Sequence, residues 1–280
     1  MRKIALACIT ILSLQSAESV AQIPTILSMQ ERADLRDRWL EVRLDTVVPE
    51  LMRREGIDAW VIISREYNED PLFRTMAPAT WLAARRRTVL FFYDNGTTVE
   101  RLAVSRYGVG SFFEGAWDPE KQPSQWKRVA QLIREKSPKK IAVNNSTTFA
   151  LADGLSQTEG KSFRDALTPE FQKRLVSGER LAIGWLERRI PEEMEVYPTL
   201  CRIAHEIILE GLSNQAVQPG HTTTEDLQWW FRDRITQLRL DTWFHPSVSI
   251  QKQDGGTRGS FATQPETQVI RRGDLLHLDF

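Results

Sequence analysis

The chain has 280 residues, 41% of them hydrophobic, and its 37 basic and 37 acidic side chains cancel. That length suffices for about two domains with ordinary cores. The balanced charge excludes a global attraction for nucleic acid or for an anionic membrane surface.

Arg2 and Lys3 precede an apolar run from Ile4 to Leu14, and Ser19-Val20-Ala21 follows with small-x-small spacing. Basic start, short apolar run and small-residue cleavage site, in that order, make a secretory signal. Residues 1–21 are therefore expected to be removed, leaving a mature chain that begins near Gln22 and is periplasmic or secreted. No later stretch reaches the roughly 20 apolar residues of a membrane helix, so no membrane contact is expected after signal removal. One of the two cysteines, Cys8, lies in that signal; Cys201 falls in a helical pattern and is expected to pack in a core.

Ser28 with Glu31 makes a capping box. Leu40, Leu44, Val47 and Leu51 then recur at helical spacing, with Pro49 expected to kink the helix and Gly56 to end it. Ala59 to Ile63 suits a strand buried on both faces. Arg65 to Pro78 is loop-like, and Arg85-Arg86-Arg87 reads as a solvated strand entrance. Thr88–Tyr93 and Thr97–Val104 are expected to pair as a hairpin about Asn95-Gly96. A helix over Ser124–Glu135, a strand over Lys140–Val143, and short helices over Leu151–Leu155 and Pro169–Val176 follow. Strands alternating with helices imply an α/β domain over 22–180.

The second part, 181–280, opens with a link at Trp185–Ile190. Pro191 at a first helical position, with Glu192 and Glu193 behind it, starts a helix expected to run to Val217, with Val196, Leu200, Ile203 and Ile207 as its apolar stripe. Thr222 and Glu225 suggest a second capping box, and Leu227, Trp230, Phe231 and Leu238 the core face of the next helix. Trp243–Ile250 reads as a strand, Gln251–Pro265 as a polar loop and Leu275–Phe280 as a last strand. His205-Glu206 lacks the second histidine of a zinc-protease helix, and Gly255-Gly256-Thr257-Arg258-Gly259 lacks the ending of a phosphate-binding loop. Trp229-Trp230 reads as core or interface packing.

Side chains alternate along a strand, so Leu275, His277 and Asp279 share one face of the last one. A carboxylate among apolar neighbours must have its charge matched, and either a metal ion or a hydrogen-bond network would do so. His277 is a candidate to orient Asp279 by hydrogen bonding from behind it, without itself touching such a metal, and a hydrogen bond within the sheet is the alternative. His245, in the preceding strand, is a candidate to contact substrate or carry a proton.

Arg271-Arg272-Gly273-Asp274-Leu275-Leu276-His277-Leu278-Asp279-Phe280 resembles the strand that carries the first metal-binding aspartate of the M24 metallopeptidases. Pro191-Glu192-Glu193, Pro219-Gly220-x-Thr222, and Phe244 with Pro246 match the same family. The part before them is similar to the creatinase-type N-terminal domain of Xaa-Pro aminopeptidases and prolidases. The resemblance implies an α/β creatinase-like domain followed by an incomplete α+β pita-bread domain. It also implies an exported aminopeptidase acting on Xaa-Pro peptides, and a homodimer. Two divalent ions (manganese, zinc or cobalt) would activate a water between them. Of the family's two Asp, one His and two Glu ligands, only the first Asp has a counterpart here, Asp279. The fragment is therefore expected to be inactive by itself. Ala262-Thr263-Gln264-Pro265 stands where many members have Pro-His, which leaves open creatinase-like amidinohydrolase chemistry or a non-catalytic binding protein on the same scaffold.

Overall fold

The computed structural model describes residues 23–251 and 267–280. The signal-like segment and the loop containing Ala262-Thr263-Gln264-Pro265 lie outside the described residues. The chain divides into two compact units, one Leu27–Val196 and the other Tyr197–Phe280 with residues 23–26.

The first unit opens with helix α1 (Met29–Glu55), closed at its start by the reciprocal Ser28–Glu31 capping box and at its end by Gly56 at φ +62°. Pro49 is accommodated within the continuous helix. A mixed six-stranded sheet follows, in the order β4-β3-β2-β1-β5-β6. Its strands are β1 (Ala59–Arg65), β2 (Arg87–Asp94), β3 (Val99–Val104), β4 (Glu114–Gly115), β5 (Ile141–Val143) and β6 (Leu175–Ser177). β1 pairs with β2 antiparallel and with β5 parallel.

Both faces of this sheet are apolar because its central strands have apolar residues at consecutive positions. Trp60, Ile62, Leu90 and Phe92 pack on one side with α1, with the short α2 (Phe73–Met76) and with α6 (Glu179–Glu187). Val61, Ile63, Val89 and Phe91 pack on the other with α3 (Gln125–Lys136) and α4 (Gln157–Ala166). Burying one phenylalanine is worth about 2–3 kcal/mol, so Phe91 and Phe92 anchor opposite layers at similar strength.

Four expectations need correction. The β2–β3 connection is a four-residue loop rather than an Asn-Gly two-residue turn, since Asp94 pairs with Val99 and Asn95 donates its amide to the Thr98 carbonyl. α4 was absent from the sequence reading because its buried side chains are Phe163 and a glutamate, Glu159, which no apolar stripe marks. Residues 175–177 form an edge strand instead of prolonging the short helix α5 (Pro169–Gln172). Trp185–Ile190 is no plain link: α6 places Trp185 fully in the core, its indole N–H donating to Thr75 at 2.8 Å.

Buried polar groups tie distant segments of this unit together. Arg43 stacks on Trp185, donates to the Trp185 and Arg188 carbonyls, and meets Glu193 at 3.0 Å. Glu159 holds Arg87 at 2.5 Å and Arg65 at 3.6 Å. Asp70, 1% exposed, accepts from the Leu72 amide and from Asn144 Nδ2, both at 2.9 Å, while Asn144 Oδ1 accepts from Trp60 Nε1 at 2.8 Å. These partners are neutral, and burial pushes the Asp70 carboxyl up to about 6 despite the two donated hydrogen bonds.

The folded pKa of Asp70 lies above its ordinary value of 3.8, so its contribution favours folding at low pH and fades as pH rises through 6. Relative to Asp70→Asn, the wild-type chain is expected to gain roughly 2 kcal/mol of stability between pH 7 and pH 4. Urea unfolding of both proteins at the two pH values measures this. A difference that does not change with pH would show that the carboxyl titrates normally.

The second unit contains the C-terminal part of α7 (Pro191–Gly211), α8 (Thr224–Gln237), and the two strands β7 (Ser247–Gln251) and β8 (Leu275–Asp279). α7 ends six residues earlier than expected. A Cβ on Gly211 would lie 2.3 Å from the Phe231 ring, so the end of α7 packs against α8 with no room for a side chain at this position. The capping box of α8 is Thr223 with Asp226 rather than Thr222 with Glu225, and Thr222 instead accepts the Gln218 amide at 2.8 Å.

Candidate functional site

The β7–β8 ladder sets out the candidate site. Ser247 pairs with Asp279, Val248 with Leu278, Ser249 with His277 and Ile250 with Leu276. Val248 and Leu278 turn inward with Leu276, against Ile203 and Ile207 of α7 and Leu227 and Phe231 of α8. Phe280 continues this face, its ring 5.3 Å from that of Phe231. The other face carries Ser247, Ser249, Leu275, His277 and Asp279, and it is open.

Asp279 and His277 are therefore brought to one exposed face, roughly 7 Å apart by strand rise. Neither side chain forms an ion pair or hydrogen bond with another described residue. The alternative in which backbone amides match the charge of Asp279 has no counterpart among the described hydrogen bonds. The open face gives this carboxylate water instead, so its desolvation cost is small.

His245 differs from expectation. β7 starts at Ser247, so His245 lies in the segment leading into the strand, where it is exposed. Its ring centroid is 4.9 Å from that of Trp229, with planes at 58°. Pro246, which cannot donate to a ladder, sits between His245 and the first paired residue. Of the tryptophan pair, Trp230 packs against the core and Trp229 is 56% exposed. A helix carrying adjacent tryptophans puts them about 100° apart, so only one can face inward.

Cys201 is exposed rather than buried. Ile203 and Ile207 define the inward stripe of α7, and a residue two places before Ile203 lies on nearly the opposite side of the helix. Leu200 is exposed as well.

A metal requires several converging donors. Among the described residues, no group of three or more His, Cys, Asp or Glu side chains is placed to hold an ion. The residues described thus do not fit a two-metal centre.

In its overall fold the chain is similar to the X-Pro aminopeptidase of Thermotoga maritima MSB8, at a TM-score of 0.56 and 17% identity. Over the matched part, the fold resembles that of this protein. The match covers 82% of this chain and 60% of that one, so this chain spans well under two thirds of its structural relative. The Xaa-Pro dipeptidase of Bacillus anthracis is similar at a TM-score of 0.49 and 16% identity, over 90% of this chain and 60% of that one, and adds no weight to the fold. No family model matches the sequence, and no curated protein does.

The two faces of the ladder should respond differently to mutation. Val248→Ala, at a position 1% exposed, is expected to cost about 2 kcal/mol, whereas Asp279→Asn on the open face should stay within about 0.5 kcal/mol. Denaturant melts of the two variants check this. A large loss in Asp279→Asn would make the aspartate a structural group.

Proposed function

We propose that this chain carries the scaffold and one metal-binding residue, Asp279, of an exported M24-type metallopeptidase that removes the residue preceding proline from peptides. The observation that carries the reading is the placement of Asp279: an unpaired carboxylate on the open face of a ladder whose other face is anchored in a core. The likeness of fold to an Xaa-Pro aminopeptidase supports it.

In this reading the protein is a hydrolase acting on peptides, with two divalent ions in the complete enzyme, and it works as a homodimer outside the cytoplasm. The pita-bread arrangement of the second unit and the creatinase-like character of the first belong to the same proposal. His277 stands beside Asp279 as its orienting neighbour, and His245, held by Trp229, is the group that meets substrate. The described residues contribute a single carboxylate to the open face, so the 280-residue chain is proposed to be inactive by itself. That shortage of donors also favours a second reading, a non-catalytic relative that uses the same face for binding.

Release of the amino-terminal residue from an Xaa-Pro peptide, with and without manganese, tests the proposal on the protein as its natural gene expresses it. Manganese-dependent turnover is expected, reduced at least about a hundredfold by Asp279→Ala, and no turnover is expected from the 280-residue chain alone. Undiminished activity in the Asp279→Ala protein would refute the assignment of Asp279. A natural protein with no turnover at any metal concentration would favour the binding reading.

A further inference from the structure

Tyr67 stands at the tip of a tight turn in the first unit. Its flanking residues Arg65 and Asn68 exchange backbone hydrogen bonds in both directions, at 3.3 and 2.7 Å. Tyr67 has φ +68°, in the left-handed region, and is 93% exposed. The clash of Cβ with the backbone disfavours that region for every residue but glycine, and bulky side chains are outliers there. An aromatic ring in water recovers nothing by burial. Neither turn geometry nor core packing therefore accounts for tyrosine at this position, and strain of this kind points to a role for the side chain.

A second strained residue is bonded to Glu66, the neighbour of Tyr67 in the turn. Arg86 has φ +52°, and its carbonyl accepts from the Glu66 amide at 2.5 Å while its own amide donates to the Glu66 carboxylate at 3.1 Å. Glu69 laces the same two loops, its Oε1 accepting from the Tyr67 and Ala84 amides at 3.3 and 3.0 Å. Both acidic side chains of the turn are thus engaged with backbone. The exposed guanidiniums of Arg85 and Arg86 form no ion pair among the described residues. Leu82, on the same loop, is 72% exposed.

We infer that Tyr67, Leu82, Arg85 and Arg86 form a recognition surface for an acidic peptide segment, the guanidiniums taking its carboxylates and the Tyr67 ring an apolar side chain. Arginine suits this role because its planar fork meets a carboxylate through two parallel hydrogen bonds. An anionic bilayer would use the same groups less well. Each basic residue near such a surface strengthens adsorption about fivefold, so two give only roughly thirtyfold, where stable attachment uses clusters of four to eight. The inference is independent of the peptidase reading, since it uses none of the residues of the β7–β8 face.

A fluorescein-labelled peptide of alternating glutamate and leucine, titrated into the intact chain and followed by anisotropy, tests it. Saturable binding is expected, weakened by about tenfold or more in an Arg85→Ser/Arg86→Ser double variant. Tyr67→Gly should weaken it too while remaining folded, because glycine suits the left-handed position. A lysine–leucine peptide is expected not to bind. Absence of binding to the glutamate peptide, or binding by both variants as tight as that of the unaltered chain, overturns the inference. Preferential binding to phosphatidylserine vesicles that both variants lose would overturn it too, by making the surface a membrane contact.

Discussion

The period of two along β7 and β8 governs what the second unit can present. Val248 and Leu278 oppose each other on the inner face, and Ser247 and Asp279 do so one step along on the outer face. A slip of one residue would exchange the faces, burying the Asp279 carboxylate and exposing Leu278. Burying an unpaired carboxylate costs several kcal/mol, so the register that fills the core is also the one that delivers the aspartate to the open side. The helices beneath set how firmly that register is held. Gly211 lets α7 approach α8 closely enough for Phe231 to join the same cluster as Val248, and Phe280 closes on Phe231 from the end of β8.

Ionic and polar anchors of the first unit follow a different logic. Its sheet has no polar face to spare, so charged groups sit where helices and strand ends meet. Arg43 is partly desolvated, which lowers its affinity for a proton, and Glu193 opposes that shift. Three carbonyl and carboxylate partners, from Trp185, Arg188 and Glu193, complete its hydrogen bonding. Such a group adds little net stability over an apolar pair, but removing one partner leaves a charge with nothing to match it, at a cost of about 3–5 kcal/mol. Glu159 stands in the same position towards Arg87 and Arg65. Both clusters join residues far apart in sequence, so they specify which segments meet more than they add to the total.

What could be read from the sequence divides along these lines. The Ser28–Glu31 box, the β1 and β2 runs, the start of α7 at Pro191 and the alternation of β8 were legible, because each is written in neighbouring residues. α4 was not, since its inward glutamate is satisfied by arginines about 70 and 95 residues away, an agreement no local window contains. The shift of the α8 cap by one residue has a similar cause. Thr222, Thr223 and Thr224 are all able to cap, and the choice among them is made by the chain at 268–270, where the Ile270 amide donates to the Thr222 carbonyl and the Gln268 carbonyl accepts from the Thr224 amide. At the candidate site, the shared face of His277 and Asp279 followed from spacing alone, while the Trp229–His245 contact joins a helix to a later segment and could not be paired in advance.

Fold and chemistry separate at the open face. A scaffold like that of an aminopeptidase fixes where a reaction could be placed, and unrelated activities share such scaffolds. Donor number decides the rest. Catalytic zinc sites use about three protein ligands, and sites poor in carboxylates bind hard cations only at millimolar levels. Asp279, exposed and hydrated, is a single donor with His277 one strand-repeat away. A lone carboxylate in water neutralises half of one dication and can neither lower the pKa of a shared water nor clamp a tetrahedral intermediate. What the ladder provides is direction: it aims one oxygen pair outward from a packed base, on the face opposite the apolar side chains that fix its register.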